Sequence, residues 1–281
     1  MKRVYTFLLV ALFVVSCSDS DNSALELDSQ SESVRNVSAK SNEEMSVGQI
    51  HNLAMDNFRD NFTYSKTSDY CEQIADFNES FFIKSAKNLA LNEDYLSEEE
   101  YCVFLDADYE ISNYLEGDES LYAQIEDLKN KNLLSSKQSV VLYNILDLTK
   151  ENAKGNISIS TLENELNNIK NNLNIEVHNY EAGYALTTNI LDIAIHSSEW
   201  WKNNLPPGNN QPNPPYTTYM APWVMADVLG GLGTGFMNMF EQHAKNPNKP
   251  IDVGSMAYSM VKGAVISSVS PWGRLSKLIV K

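Results

Sequence analysis

The chain has 281 residues, 43% of them hydrophobic and 10% aromatic, enough apolar material to bury a core in one or two domains. Its 37 Asp plus Glu outnumber 21 Lys plus Arg, for a net charge of −16. Such a surface repels the phosphates of nucleic acid and of anionic lipid headgroups, so no nucleic-acid partner is expected.

Residues 1–16 have the layout of a signal peptide. Lys2 and Arg3 precede an apolar run from Val4 to Val15, interrupted only by Thr6, and small Ser16 closes it. A membrane-spanning helix needs ~20 apolar residues, and this run falls well short, so it is expected to be cut rather than retained. Val14-Val15-Ser16-Cys17 resembles the bacterial lipobox, in which the cysteine is diacylated, with chains such as palmitate, and becomes the new N-terminus. Acyl chains contribute ~0.8 kcal/mol per buried methylene, so two or three of them hold a protein where one does not. Ser18-Asp19-Ser20-Asp21-Asn22 looks like the acidic export tag of Bacteroidota lipoproteins, and a featureless polar linker is the other reading. The expected address is the outer membrane, lipid-anchored at Cys17 and exposed at the cell surface. Cleavage removes two positive charges and no acid, leaving 19 Lys plus Arg against 37 Asp plus Glu, so lipid rather than charge must hold the chain to its membrane.

Two cysteines remain, Cys71 and Cys102. In an exported, oxidising setting a disulfide between two neighbouring helices and two buried free thiols are both open.

Residues 17–45 are Ser, Asp, Asn, Glu and Gln with single aliphatics and no period, which is the composition of a tether. The helical period begins at Ser46, a candidate cap, with Val47, Ile50, Ala54 and Phe58 on one face. Tyr70, Ile74, Phe77 and Phe81 follow behind Ser68. Ser97 with Glu100 reads as a capping box before Tyr101, Leu105 and Tyr109. Leu121, Ile125 and Leu128 mark a helix after Gly117, and Val141, Ile145 and Leu148 mark the next. Ser160 with Glu163 predicts a second capping box, ahead of Leu162, Leu166, Ile169 and Leu173. Residues 181–201 form a further helix ending in Trp200-Trp201.

Strand alternation is nearly absent, so the fold class is all-α. An irregular multi-helix bundle over 46–203 is followed by a Pro/Asn-rich linker over 204–221 and an apolar, glycine-containing helical hairpin over 222–281. The hairpin's segments run from Trp223 to Phe240 and from Gly254 to Val269, joined by Asn246-Pro247-Asn248-Lys249-Pro250. Glycine costs a helix ~1 kcal/mol relative to alanine, so Gly230, Gly231, Gly233 and Gly235 require a reason. Close backbone packing is the expected one, with Gly231 and Gly235 in small-xxx-small spacing and Gly254, Ala257, Ser259 and Gly263 as the facing surface.

No constellation carries recognisable chemistry. Asp106-Ala107-Asp108-Tyr109-Glu110 resembles the start of an EF-hand loop, but Ile111 stands where the turn glycine belongs and Gly117 where the bidentate glutamate belongs. His51, His178, His196 and His243 never fall four apart around a carboxylate, so each is read as a core or helix-surface residue. A nucleophile elbow is missing, and Gly231-Leu232-Gly233-Thr234-Gly235 follows no strand, so it is no dinucleotide fingerprint. No cofactor, metal site or catalytic residue is expected. Trp200, Trp201, Tyr216, Tyr219 and Trp223 either stack on a sugar or peptide or pin the linker to the bundle, and the second reading is preferred.

Three short motifs remain: Gly48-Gln49-Ile50-His51-Asn52, Ser198-Glu199-Trp200-Trp201 and Trp223-Val224-Met225-Ala226-Asp227. Together with the leader they resemble helical Bacteroidota lipoproteins that open on Gly-x-x-His-Asn, close their body on Ser-x-x-Trp and enter a glycine-rich tail through Trp-x-x-Ala-Asp. The resemblance implies an address and a layout and brings no activity with it. The expectation is a surface-displayed lipoprotein with an interaction or structural role and a protein partner. The alternative is a membrane-active, bacteriocin-like protein acting through the hairpin, against which Asp227, Glu241 and Lys262 argue, since a central charge costs about 2.5 to 3.5 kcal/mol on insertion scales.

Overall fold

Ser46 starts the first described helix as its sequence predicts. Its backbone is extended (φ −69°, ψ 161°), its hydroxyl accepts from the Gln49 N–H at 3.3 Å, and the Gln49 Oε1 accepts from the Ser46 N–H at 2.8 Å. Two amides at the helix start, otherwise without partners, are thereby satisfied. The helix, α1, runs Val47–Asn61 and buries Val47, Ile50, Ala54, Met55 and Phe58. Phe62 stacks on Phe58 at 4.3 Å, and Phe77 meets both rings edge-on.

The computed structural model describes residues 45–62, 73–74, 76–77, 81, 117, 119–173, 181–204 and 222–279, with side chains from 223 to 269 in the last stretch, all within one unit spanning Glu44–Lys281. Among these residues there are seven helices and no strands, which is the all-α bundle expected. After α1 come α2 (Ser120–Asn130), α3 (Ser136–Ala153), α4 (Ile159–Asn171), α5 (Glu181–Asn204), α6 (Pro222–Lys245) and α7 (Val253–Ile279). The signal peptide, Cys17, Cys71, Cys102, the Ser97 and Glu100 capping box and the linker 205–221 lie outside the described residues, as do most of the helix expected behind Ser68 and its cap.

Short turns set the order. Asn132, at φ 57°, and Gly155, at φ 76°, take the left-handed backbone that ends α2 and α3. Ser135 and Gln138 make a capping box for α3 that the periodicity had not revealed. The box predicted at Ser160 and Glu163 is not formed. Ser158 holds the extended cap geometry instead, accepting from the Thr161 N–H at 3.1 Å, while the Glu163 carboxylate receives Lys202 at 2.8 Å. With Ile159 already helical, Ser160 lies inside the first turn and cannot cap it.

The core is centred on α5, α6 and α7. Helices α6 and α7 pack along each other, α5 lies against both, α1 packs on α5 and α7, α3 covers α6, and α4 braces α3 and α5. The chain from 222 onward is therefore no appendage. Val224, Met225, Val228, Leu232, Phe236, Met239, Met260, Val261, Ala264 and Val265 belong to the same cluster as Ile50, Leu142, Ile190 and Trp201. Each large side chain so enclosed contributes about 1.5 to 3 kcal/mol.

Candidate functional site

Three of the seven helices meet at a buried polar centre. On α1, Gly48 brings the backbone against α5: an added Cβ there would collide with the Asp192 carbonyl and lie 2.8 Å from the His196 Cγ. The Gly48 N–H donates to the Asp192 carboxylate at 2.8 Å. One turn later His51 and Asn52 face the same junction. The Asn52 side-chain amide donates to the His196 carbonyl at 2.9 Å, and its oxygen lies 3.0 Å from the His51 Nδ1.

The other side of His51 is Asp227, on α6. The His51 Nε2 is 3.4 Å from the Asp227 Oδ2, and both side chains are 0% exposed. That same oxygen accepts the Ser197 hydroxyl at 2.5 Å and the Trp201 indole N–H at 3.0 Å, both from α5. Trp223 closes over Trp201, edge-on at 4.0 Å, and Trp200 meets Trp201 edge-on at 4.7 Å. The Trp200 indole donates to Asp56 on α1 at 2.9 Å. Beside the centre, the His196 imidazole is pushed below its usual range, first by burial. Asp192 and Glu199 oppose that shift, while His51 and Lys170 add to it.

Serine, histidine and aspartate are all present, but their order does not suit nucleophilic catalysis. The carboxylate sits between the other two, so Ser197 donates to Asp227 rather than to His51, and the imidazole cannot take the serine's proton. The arrangement ties α1, α5 and α6 through a shared acceptor. Among the described residues no group of His, Cys, Asp and Glu could hold a metal ion.

A second feature lies at the surface between α3 and α4. A groove of about 330 Å³ has Leu148 and Ile169 in its lining with Asn144, Asp147, Glu151 and Glu165. The Tyr122 hydroxyl donates to Asp147 at 2.6 Å, and Tyr143 donates to Glu126 at 2.6 Å on the neighbouring face. That second bond helps hold Tyr143 protonated above its usual range, after burial, and keeps Glu126 below its own.

The glycines of the hairpin lie in the core. A Cβ on Gly230 would collide with Ser267 and the Gly263 carbonyl, and one on Gly263 with Thr234 and the Gly230 carbonyl. Gly231 faces Ile190 and Ile193 on α5 and the Met260 carbonyl of α7, Gly235 faces Leu186 and Met260, and Gly233 is also buried. Thr234, Asn238 and Gln242 form a polar row one turn apart: Thr234 donates to the Ser259 carbonyl at 2.8 Å, Asn238 to the Ser255 and Ser259 hydroxyls, and Gln242 to Asn238 and the Asp252 carbonyl. Lys262 is nearly enclosed, its ammonium 5.7 Å from the Tyr258 ring. No helix among the described residues is long and apolar enough to cross a membrane.

Of the aromatic patch, Trp200, Trp201 and Trp223 are buried around Asp227, while Tyr216 and Tyr219 lie outside the described residues, as do His178 and the Asp106–Glu110 segment. The His51 and Asp227 pair was not found from the sequence, although one acid inside the apolar run Val224–Leu229 signals a buried partner. The described residues thus form an all-helical bundle organised around a central hairpin. No protein-family model matches the chain, and comparison with curated proteins and with solved structures finds no match.

Proposed function

We propose that the chain is a lipid-anchored surface protein of the bacterial outer membrane, attached through Cys17, with an interaction or structural role and no catalysis. One observation supports this reading over a membrane-active hairpin. The small-residue faces of α6 and α7, including Gly230, Gly231, Gly235 and Gly263, are occupied by each other and by α5. A face already filled by protein is not presented to lipid, and exposing it would cost the burial of the whole central cluster.

Replacing Cys17 with serine and fractionating the cells tests the anchor. The expected product is soluble and no longer labelled by palmitate, and continued sedimentation with membranes would overturn the reading. The purified chain is expected to leave dye-loaded liposomes intact at micromolar concentration; release at neutral pH would restore the membrane-active alternative.

A further inference from the structure

We infer that the apolar groove between α3 and α4 is a docking site for a basic amphipathic helix of a partner protein, whose aliphatic side chains cover Leu148 and Ile169 while its lysines or arginines meet Asp147, Glu151 and Glu165. Such a site rests on the interaction role proposed above and gives that role a surface. Leu148 and Ile169 are partly buried and packed on the hydrophobic cluster, and both still present apolar surface to the groove. Val140, 54% exposed, stands two turns before Leu148 on the same face of α3, with Asn144 between them, and lengthens the apolar strip.

The rim is acidic and held in place. Asp147 Oδ1 accepts the Tyr122 hydroxyl at 2.6 Å, and Glu151 Oε2 accepts the Asn156 side-chain amide at 2.8 Å. Each bond fixes a carboxylate by one oxygen and leaves the other for a donor from outside. Among the described residues no Lys or Arg lines the groove, and none of its three acids is in an ion pair, although Lys129, Lys131, Lys170 and Lys202 each find an acid elsewhere.

Charge and shape together select the occupant. Among the described residues no three acids converge as a metal site requires, so the complement is several cations spread along one ligand. Nucleic acid and anionic lipid carry the wrong sign, and a second copy of the chain shares its net charge of −16. An extended peptide adds to a sheet edge, and there is no strand among the described residues, whereas a groove between two helices accepts the apolar face of a third. At about 330 Å³ the groove takes a few anchoring side chains of a longer segment.

The test uses the purified full mature chain and a synthetic Leu/Lys helix whose leucines recur at three- and four-residue spacing, titrated at near-physiological salt and followed by fluorescence anisotropy of the labelled peptide. A scrambled peptide of the same composition keeps the charge but has no apolar face, and it is expected to bind about tenfold more weakly. In the protein, Asp147→Asn with Glu165→Gln is expected to weaken binding about tenfold, whereas Glu181→Gln with Glu199→Gln, which removes the same charge from α5, is expected to change it less than about twofold. All four side chains are exposed, so the fold survives each pair of changes. Absence of binding, equal binding of the two peptides, or equal losses from the two pairs of substitutions would each overturn the inference. The anchor is read separately by fractionating Cys17→Ser cells, so a peptide that fails to bind leaves the lipid attachment standing.

Discussion

Gly230 and Gly263 show how one missing methyl sets a helix crossing. Each has the other's carbonyl where its own Cβ would be, and backbone cannot swing aside as a side chain does. Gly230→Ala and Gly263→Ala are therefore expected to lower the unfolding free energy by about 1 to 3 kcal/mol or more in urea titrations, despite alanine's better helix propensity. Gly231→Ala is the control. Its Cβ would meet the Ile190 terminal methyl at 3.0 Å and nothing closer, so strain and propensity nearly cancel. His196 makes a different residue-scale prediction. Burial lowers its proton affinity in the folded state, so the unfolded chain, with an ordinary imidazole that titrates at about 6.5, binds the proton more readily as the pH falls. The stability it contributes is complete above that pH and is lost as pH falls through the lower folded value. Thermal melts of His196→Gln are expected to show a shallower decline in Tm between about pH 7 and 5 than the unsubstituted chain.

At the scale of elements, the hairpin is held in register by polarity as well as by shape. Asn238 donates to Ser255 at 3.1 Å and to Ser259 at 2.9 Å and accepts from Gln242 at 2.6 Å, all inside the core. Apolar contacts alone would let α6 slide along α7 by a turn, whereas this row has one alignment that satisfies every member. Asn238→Ala is expected to cost about 1 to 3 kcal/mol, read as a lower denaturant midpoint with an unchanged slope, because its partners lose their bonds without gaining water. Asp252 completes the turn between the helices, accepting at 3.0 and 3.1 Å from the Gly254 and Ser255 N–H groups at the start of α7. The proline-rich segment did mark a change in composition. What it does not mark is a change of core, since α6 beyond it shares α5 with α1 before it.

For the whole molecule, that shared core means the helices over 46–203 are not self-sufficient. Trp201, Ile190 and Ile193 would lose their cover if α6 and α7 were absent, and α1 would lose Asp227 as an anchor. A chain ending at residue 221 is expected to retain helical circular dichroism but to melt without a cooperative transition and to bind a hydrophobic dye; sharp two-state unfolding would contradict this architecture. Helix positions were legible in the chain because amphipathic spacing and caps such as Ser46 with Gln49 are local: their partners lie within four residues. The buried glycines were legible as close-packing positions for the same kind of reason, since their cost inside a helix is intrinsic and demands compensation nearby. The polar centre was not. His51, Ser197 and Trp201 lie 176, 30 and 26 positions from Asp227, and each alone has the ordinary look of a polar or aromatic residue on a helix. Only the packing of α1, α5 and α6 brings them to one carboxylate oxygen, because burial, which excludes water and makes an unmatched polar group costly, is a property of the assembled core and not of any segment in it.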